Sequence, residues 1–349
     1  VNLADIVATI IFVGIIAYAV FGGADYGAGI WDLLAGEGHQ AAERRHQIDR
    51  SLGPVWEANH VWLVFVLVFL WTGFPSAFAA TVTTLFVPLA LAAVGIVYRG
   101  AAFAFRKSVD SFAQARWFGA LFAASSVVTP FFFGTVAGAV ASGRVPADGR
   151  GDPVTSWVNP TSLLGGVLAV ATCAWSAAVL LAADAERADE PELATWFARR
   201  ALLSGLVTGT VALLGVAVLE HDAKTLAAHL RGRGAPLVAI SAAAATTALV
   251  LIHRGRYRAA RPPALVAVVA VVAGWGVAHY PWVLVDHSRI DAVAAPRATL
   301  VALLVAFAGA LVLVVPALLW LLRLTDAGSL GERARADSSE ALLDANRGD

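Results

Sequence analysis

A carboxylate, an amide and an imidazole enter an apolar run in Gly53-Pro54-Val55-Trp56-Glu57-Ala58-Asn59-His60-Val61-Trp62-Leu63. A charged group at the centre of a membrane helix costs at least about 2.5 to 3.5 kcal/mol, so such groups usually face a bundle interior or a water-filled path. Pro54 suits the first turn of a helix capped by Ser51 or Gly53, which places Glu57 near the start of that helix. The helix dipole there favours an ionised carboxylate by roughly 0.3 to 1 kcal/mol, while burial opposes ionisation. His60 lies three residues on and shares the face of Glu57, a spacing that permits proton exchange or a plain hydrogen bond. Asn59 points elsewhere, and Trp56 and Trp62 flank the group. A polar pair at a membrane interface, with the two tryptophans as aromatic belt, is an equally good reading of these residues alone.

Two further charged groups belong to the same argument. Asp25 sits in Phe21-Gly22-Gly23-Ala24-Asp25-Tyr26-Gly27-Ala28-Gly29, a segment whose glycines permit close helix approach or a turn. If the chain hairpins back through residues 35–51, Asp25 lies beside Glu57. Arg99 and Arg106, seven residues apart, share a helix face if the helix continues through them. Two guanidiniums beside two carboxylates would offset the penalty for burying charge; simple anchoring in a basic loop is the alternative, and the preferred one for Lys107 and Arg106. Haem ligation here would rest on histidine, because the chain has no methionine and its one cysteine, Cys173, is alone. Of the eight histidines only His60 lies well inside an apolar run, which argues against a multi-haem protein.

The elements that must position these groups are membrane helices. The 349 residues are 59% hydrophobic and only 14% charged, with no net charge, against roughly 25% charged residues in soluble domains. Mean hydropathy is +0.73. Nothing in this balance points to nucleic acid. Apolar runs near 4–22, 55–73, 79–98, 117–140, 161–183, 199–219, 236–252, 264–283 and 298–321 predict nine spans. Ala17-Tyr18-Ala19 has the look of a cleavage site, but no basic residue precedes the first run, which is therefore expected to be a permanent span. Eighteen of the 25 Lys and Arg residues fall in alternate loops, so the N-terminus is expected outside and the C-terminus inside. Residues 1–324 form one transmembrane domain on this reading, and 325–349 a polar cytoplasmic tail.

The glycine-rich Gly-Ala-Asp-Tyr-Gly-Ala-Gly at 23–29, the Gly53–Leu63 motif and the stretch from Arg99 to Arg106 resemble subunit II of the cytochrome bd-type quinol oxidases. Weaker likenesses are Asn159-Pro160 with Leu163-Leu164-Gly165-Gly166, Tyr280-Pro281-Trp282-Val283, and Asp291-Ala292 followed by Thr299-Leu300. The resemblance implies an all-α, polytopic protein of the bacterial cytoplasmic membrane, with nine helices in two four-helix bundles plus one peripheral helix. It implies a complex that oxidises quinol and reduces dioxygen to water, with two b-type haems and one d-type haem held by subunit I. Subunit II itself would carry no haem; it would dock against subunit I and line a cytoplasmic proton path. A structural quinone or lipid and small accessory subunits remain open. Asp25 matches the family's aspartate, and Asn59 and Trp62 match their positions. Glu57 stands where the family usually has aspartate, Ala58 replaces glycine, and His60 replaces glutamine or glutamate. The expected proton-pathway residues are thus Glu57, Asp25 and His60, supported by Asn59, Arg99 and Arg106. The competing readings are a transporter or permease, since polar groups in glycine-broken helices also line substrate sites, and a purely structural scaffold.

Overall fold

The computed structural model describes residues 2–52, 56–106 and 112–326. Thirteen helices follow one another: α1 (Leu3–Leu33), α2 (His39–Leu52), α3 (Trp56–Gly73), α4 (Pro75–Thr84), α5 (Phe86–Arg106), α6 (Phe112–Ala141), α7 (Pro160–Arg187), α8 (Pro191–Asp222), α9 (Lys224–Arg231), α10 (Ala235–His253), α11 (Tyr257–His279), α12 (Ile290–Val293) and α13 (Arg297–Asp326). Between α11 and α12, the strands β1 (Trp282–Leu284) and β2 (Ser288–Arg289) pair antiparallel, a small addition to the all-α expectation. Residues 1–295 form one compact unit, and α13 belongs to a second, from residue 296 onward.

Among the described residues seven helices, α1, α5, α6, α7, α8, α10 and α11, are long and apolar enough to cross a bilayer. Together α3 and α4 also reach that standard, as a pair bent by 118°. This corrects the third expected span: residues 75–84 form α4, with Pro75 in its first turn, and the following helix starts only at Phe86. Leu85 caps α4, its N–H bonded to the Thr81 carbonyl. The ninth expected run falls in α13, whose apolar described portion is Arg297–Leu313.

The first helix departs most from expectation. Its start is ordinary: Asn2 accepts a hydrogen bond from the Asp5 N–H at 2.8 Å and Asp5 reciprocates, a capping box. Its end is not at residue 22; α1 continues as unbroken helix through the glycine segment to Leu33. Packing keeps it helical there, because α1 lies against α6 and α7 so closely that side chains have no room. A Cβ on Gly27 would collide with the Cys173 carbonyl oxygen, and one on Gly29 with Ser126 Oγ. The glycines thus act as contact surface rather than as a turn. The indole N–H of Trp31 donates to the Ala174 carbonyl at 2.8 Å, fixing the register of α1 on α7.

The seventh helix is the hub. Asn159 caps its N-terminus by accepting from the Ser162 N–H at 2.9 Å, with Pro160 behind it. It packs against α1, α6, α8 and α11. Its far half shares a core with α8, α10 and α11 that includes Trp175, Leu181, Phe197, Ile252 and Val268. The polar α2 packs against α1 and α7 at the end of the bundle where α1 finishes and α8 begins.

Candidate functional site

Asp25 and Arg99 form the centre of the site, 5% and 3% exposed. Arg99 grips the Asp25 carboxylate with both terminal nitrogens, Nη1 to Oδ2 at 2.5 Å and Nη2 to Oδ1 at 2.9 Å. Nη2 also donates to the Asp25 carbonyl at 2.9 Å, and Nε donates to Ser126 Oγ at 3.1 Å. The Ser126 hydroxyl in turn donates a hydrogen bond to the Phe122 carbonyl at 2.7 Å. The guanidinium carbon lies 4.6 Å from the centre of the Phe122 ring and 4.9 Å from that of Tyr26. Such a buried pair survives in an apolar surrounding only when nearly every donor and acceptor is satisfied, as here. Around it the hydroxyls of Tyr18 and Tyr26 share a hydrogen bond of 2.9 Å. Cys173 is buried beside Gly23.

The second half of the site lies on α3. Phe21 stacks on Trp62 with ring centres 6.4 Å apart, while Gly14 abuts Phe65 and Val66. Moving back along α1 therefore moves forward along α3, so the two helices run antiparallel. One turn beyond Phe21 is Asp25, and one turn before Trp62 is Ala58, each about 6 Å along its axis. The first turns of α3 thus stand level with the ion pair. Asn59 is 2% exposed, and neither its amide nitrogen nor its amide oxygen has a hydrogen-bond partner among the described residues. His60 and Trp62 are half-buried.

The structure brings Asp25 and Arg99 into direct contact and puts Asn59, the residue expected to point away, in the interior. Glu57 lies in the first turn of α3; its side chain, like those of Trp56 and Arg106, lies outside the described residues, as do Gly53, Pro54, Val55 and Lys107. Sequence reasoning missed Ser126, Tyr18, Tyr26 and Phe122. Ser125-Ser126 inside an apolar run was a usable signal for the first; aromatic residues in a membrane helix carry none.

Among the described residues no three His, Cys, Asp or Glu side chains gather as a metal site. His279 does not suit haem: Phe12 and Trp275 pack on its ring, and its Nε2 lies 3.1 Å from the Val283 carbonyl. Nor does Cys173, wedged between α7 and α1.

The fold and site define a multi-pass helical membrane protein with a buried guanidinium–carboxylate pair between its helices. The sequence matches the family described as cytochrome bd terminal oxidase subunit II over residues 3–325. The chain belongs to that family. It is 29% identical to "Cytochrome bd ubiquinol oxidase subunit 2" of Bacillus subtilis (strain 168) over 171 residues, covering 48% of each chain. It is 30% identical to "Cytochrome bd-I ubiquinol oxidase subunit 2" of Escherichia coli (strain K12) over 103 residues, which are 30% of this chain and 26% of the relative. The matched segments thus span about half or less of these relatives. A chain of the bd oxidase from Geobacillus thermodenitrificans shares the fold, with a TM-score of 0.72 and 23% identity over 93% of this chain and 98% of that one.

Proposed function

We propose that this chain is the non-haem subunit II of a quinol:dioxygen oxidoreductase in the bacterial cytoplasmic membrane, paired with a haem-bearing subunit I and lining a cytoplasmic proton route. The observation that carries the reading is the fully enclosed Asp25–Arg99 pair level with the turn of α3 that bears Glu57, Asn59 and His60. Nine spans follow if the bent α3–α4 pair counts as one and α13 as another. Two four-helix bundles with a peripheral helix, N-terminus out and C-terminus in, is the arrangement proposed. When bound in subunit I, two b-type haems and one d-type haem would supply the electron transfer and oxygen chemistry. Quinol is the substrate of the complex, not of this chain alone.

The division of labour follows from hydrogen-bond inventory. Asp25 has both oxygens held by one guanidinium, so it serves as a fixed charge pair that sets the local field. Glu57 and His60 are the groups able to take and release a proton, and at i and i+3 they share a helix face. Asn59, whose buried amide has no partner among the described residues, provides a donor and an acceptor for water at the same level. Trp62, stacked on Phe21, lies one turn further along the same helix.

Glu57→Gln keeps size and hydrogen bonding but removes the exchangeable proton. Quinol-driven oxygen consumption and proton uptake by the purified complex should fall by more than about tenfold, within the range that positioned proton transfer contributes. Haem spectra and subunit ratio should stay those of the wild type, and Glu57→Asp should recover most of the rate. Wild-type turnover in an assembled Glu57→Gln complex would remove Glu57 from the route.

A further inference from the structure

Arg44, Arg199 and Arg200 cluster near Trp196 at the α2 end of the bundle. Four arginines at that end are paired: Arg45 with Asp32 at 3.1 Å, Arg50 with Glu190 at 3.5 Å, and Arg187 and Arg261 with Asp184 at 3.3 Å. Among the described residues Arg44, Arg199 and Arg200 make no ion pair, although Arg44 and Arg199 are close enough to repel Arg200. Trp196 lies among them. The guanidinium carbon of Arg200 is 3.1 Å from the centre of the indole and that of Arg44 is 4.6 Å away. Arg200 also donates to the Trp196 carbonyl at 3.1 Å, and Arg44 to the Ala35 carbonyl at 2.7 Å and Gln40 Oε1 at 3.1 Å. These contacts fix the side chains without neutralising them. The neighbouring acids face other partners: Glu43 lies 3.4 Å from His39 Nδ1 and Glu190 3.5 Å from Arg50. With Glu192, they line a separate cavity of about 610 Å³ between α2 and the start of α8.

The surface next to this cluster is built for acyl chains. Arg199, Leu203 and Leu206 recur at i, i+4 and i+7 on one face of α8. Leu203 and Leu206 are 64% and 61% exposed, with Val207 beside them. Arg199 thus stands about 6 Å, one helical turn, from the first of a row of apolar side chains open to lipid. A half-buried tryptophan at the same height matches the aromatic belt found at headgroup level.

We propose that Arg44 and Arg200, ordered on Trp196, together with the neighbouring Arg199 bind the phosphate of an anionic glycerophospholipid whose acyl chains lie along the Leu203–Leu206 face of α8. Guanidinium groups suit phosphate oxygens because their N–H donors are arranged in a planar fork. The exposed leucines favour a lipid over a free ion as the source of that phosphate.

The test uses the purified membrane complex, in detergent micelles carrying phosphatidylglycerol or phosphatidylcholine, with bound lipid counted by native mass spectrometry and affinity read by titration. Wild type should prefer phosphatidylglycerol. Each Arg→Gln substitution should weaken it by about fivefold, and the Arg44→Gln/Arg199→Gln/Arg200→Gln triple variant by on the order of a hundredfold, as expected for surface arginines at an anionic headgroup. Circular dichroism of each variant verifies retained helix. The triple Arg→Lys variant separates a built site from a diffuse field: it should lose most of the preference despite equal charge. Equal retention of the two lipids by wild type, or lysine variants that bind like wild type, would overturn the proposal. Displacement of phosphatidylglycerol by millimolar inorganic phosphate would overturn the lipid assignment and leave a free phosphate ion as the occupant.

Discussion

Breaking the Asp25–Arg99 pair from either side should give unequal losses, and the structure orders them. Removing one partner of a buried ion pair costs about 3 to 5 kcal/mol, because the remaining charge is left uncompensated. In Asp25→Asn the guanidinium keeps the Asp25 carbonyl, Ser126 Oγ and the two aromatic rings of Tyr26 and Phe122. A desolvated cation over such rings gains about 2 kcal/mol, so this variant should fall at the lower end, near about 3 kcal/mol. In Arg99→Gln the carboxylate loses the one side chain that hydrogen-bonds to it among the described residues. That variant should fall near about 5 kcal/mol. The Asp25→Asn/Arg99→Gln double variant replaces both charges by amides and should be less damaged than Arg99→Gln alone, with a coupling of at least about 2 kcal/mol. Sodium dodecyl sulfate titration of the purified protein, followed by loss of helical ellipticity, measures all three. Additive losses in the double variant, or an Arg99→Gln protein within about 1 kcal/mol of wild type, would refute the claim that the two charges hold each other in the interior.

Two other substitutions probe the surroundings of that pair. Gly27→Ala should destabilise by about 1 to 3 kcal/mol, as overpacking does, since its methyl would meet the Cys173 carbonyl. Gly100→Ala, with open space at its Cβ position, should be neutral or slightly stabilising; heat-induced aggregation of the two proteins compares them directly. Asn59→Leu removes an amide whose two polar atoms are unpartnered among the described residues. It should raise stability by about 1 kcal/mol or more while slowing proton uptake in stopped-flow measurements; unchanged uptake would take Asn59 out of the route.

The apolar runs were readable because hydropathy alone decides whether a segment enters lipid: α7, α8 and α10 lie where the runs predict, with longer ends, whereas α11 starts earlier than its run and stops at His279, short of residue 283, because Pro281 follows and Trp282–Leu284 form β1. The glycine segment was misread as the end of the first helix. Glycine is a poor helix former in isolation, and the choice between a turn and close helix approach is settled by the Cys173 carbonyl of α7 against Gly27 and the Ser126 side chain of α6 against Gly29. The break between α4 and α5 was hidden for a different reason: both sides of it are apolar, so the hydropathy pattern does not change there. Pro75 was the local clue. At the site, the benefit of an arginine near two carboxylates followed from electrostatics before any coordinates. Which arginine and which carboxylate meet did not, because that depends on how α1 and α5 pack around α6 through Ser126. Asn59 shows the limit of helical-wheel reasoning: its angle relative to Glu57 is given by the sequence, but which side faces the interior is set by α1.

Asp25 and Arg99 are separated by 74 residues, which has a consequence for biogenesis. At about 5 to 20 residues per second, roughly 4 to 15 s pass between synthesis of one charge and arrival of the other. During that interval the glycine-rich half of α1 carries an unneutralised carboxylate, a burden of about 2.5 to 3.5 kcal/mol for full insertion. The nascent α1 should therefore rest with this half near the aqueous face of the translocation machinery and sink to its final depth only when α5 emerges. A chain truncated before Arg99 should leave Asp25 accessible to water-soluble reagents that cannot reach it in the finished protein.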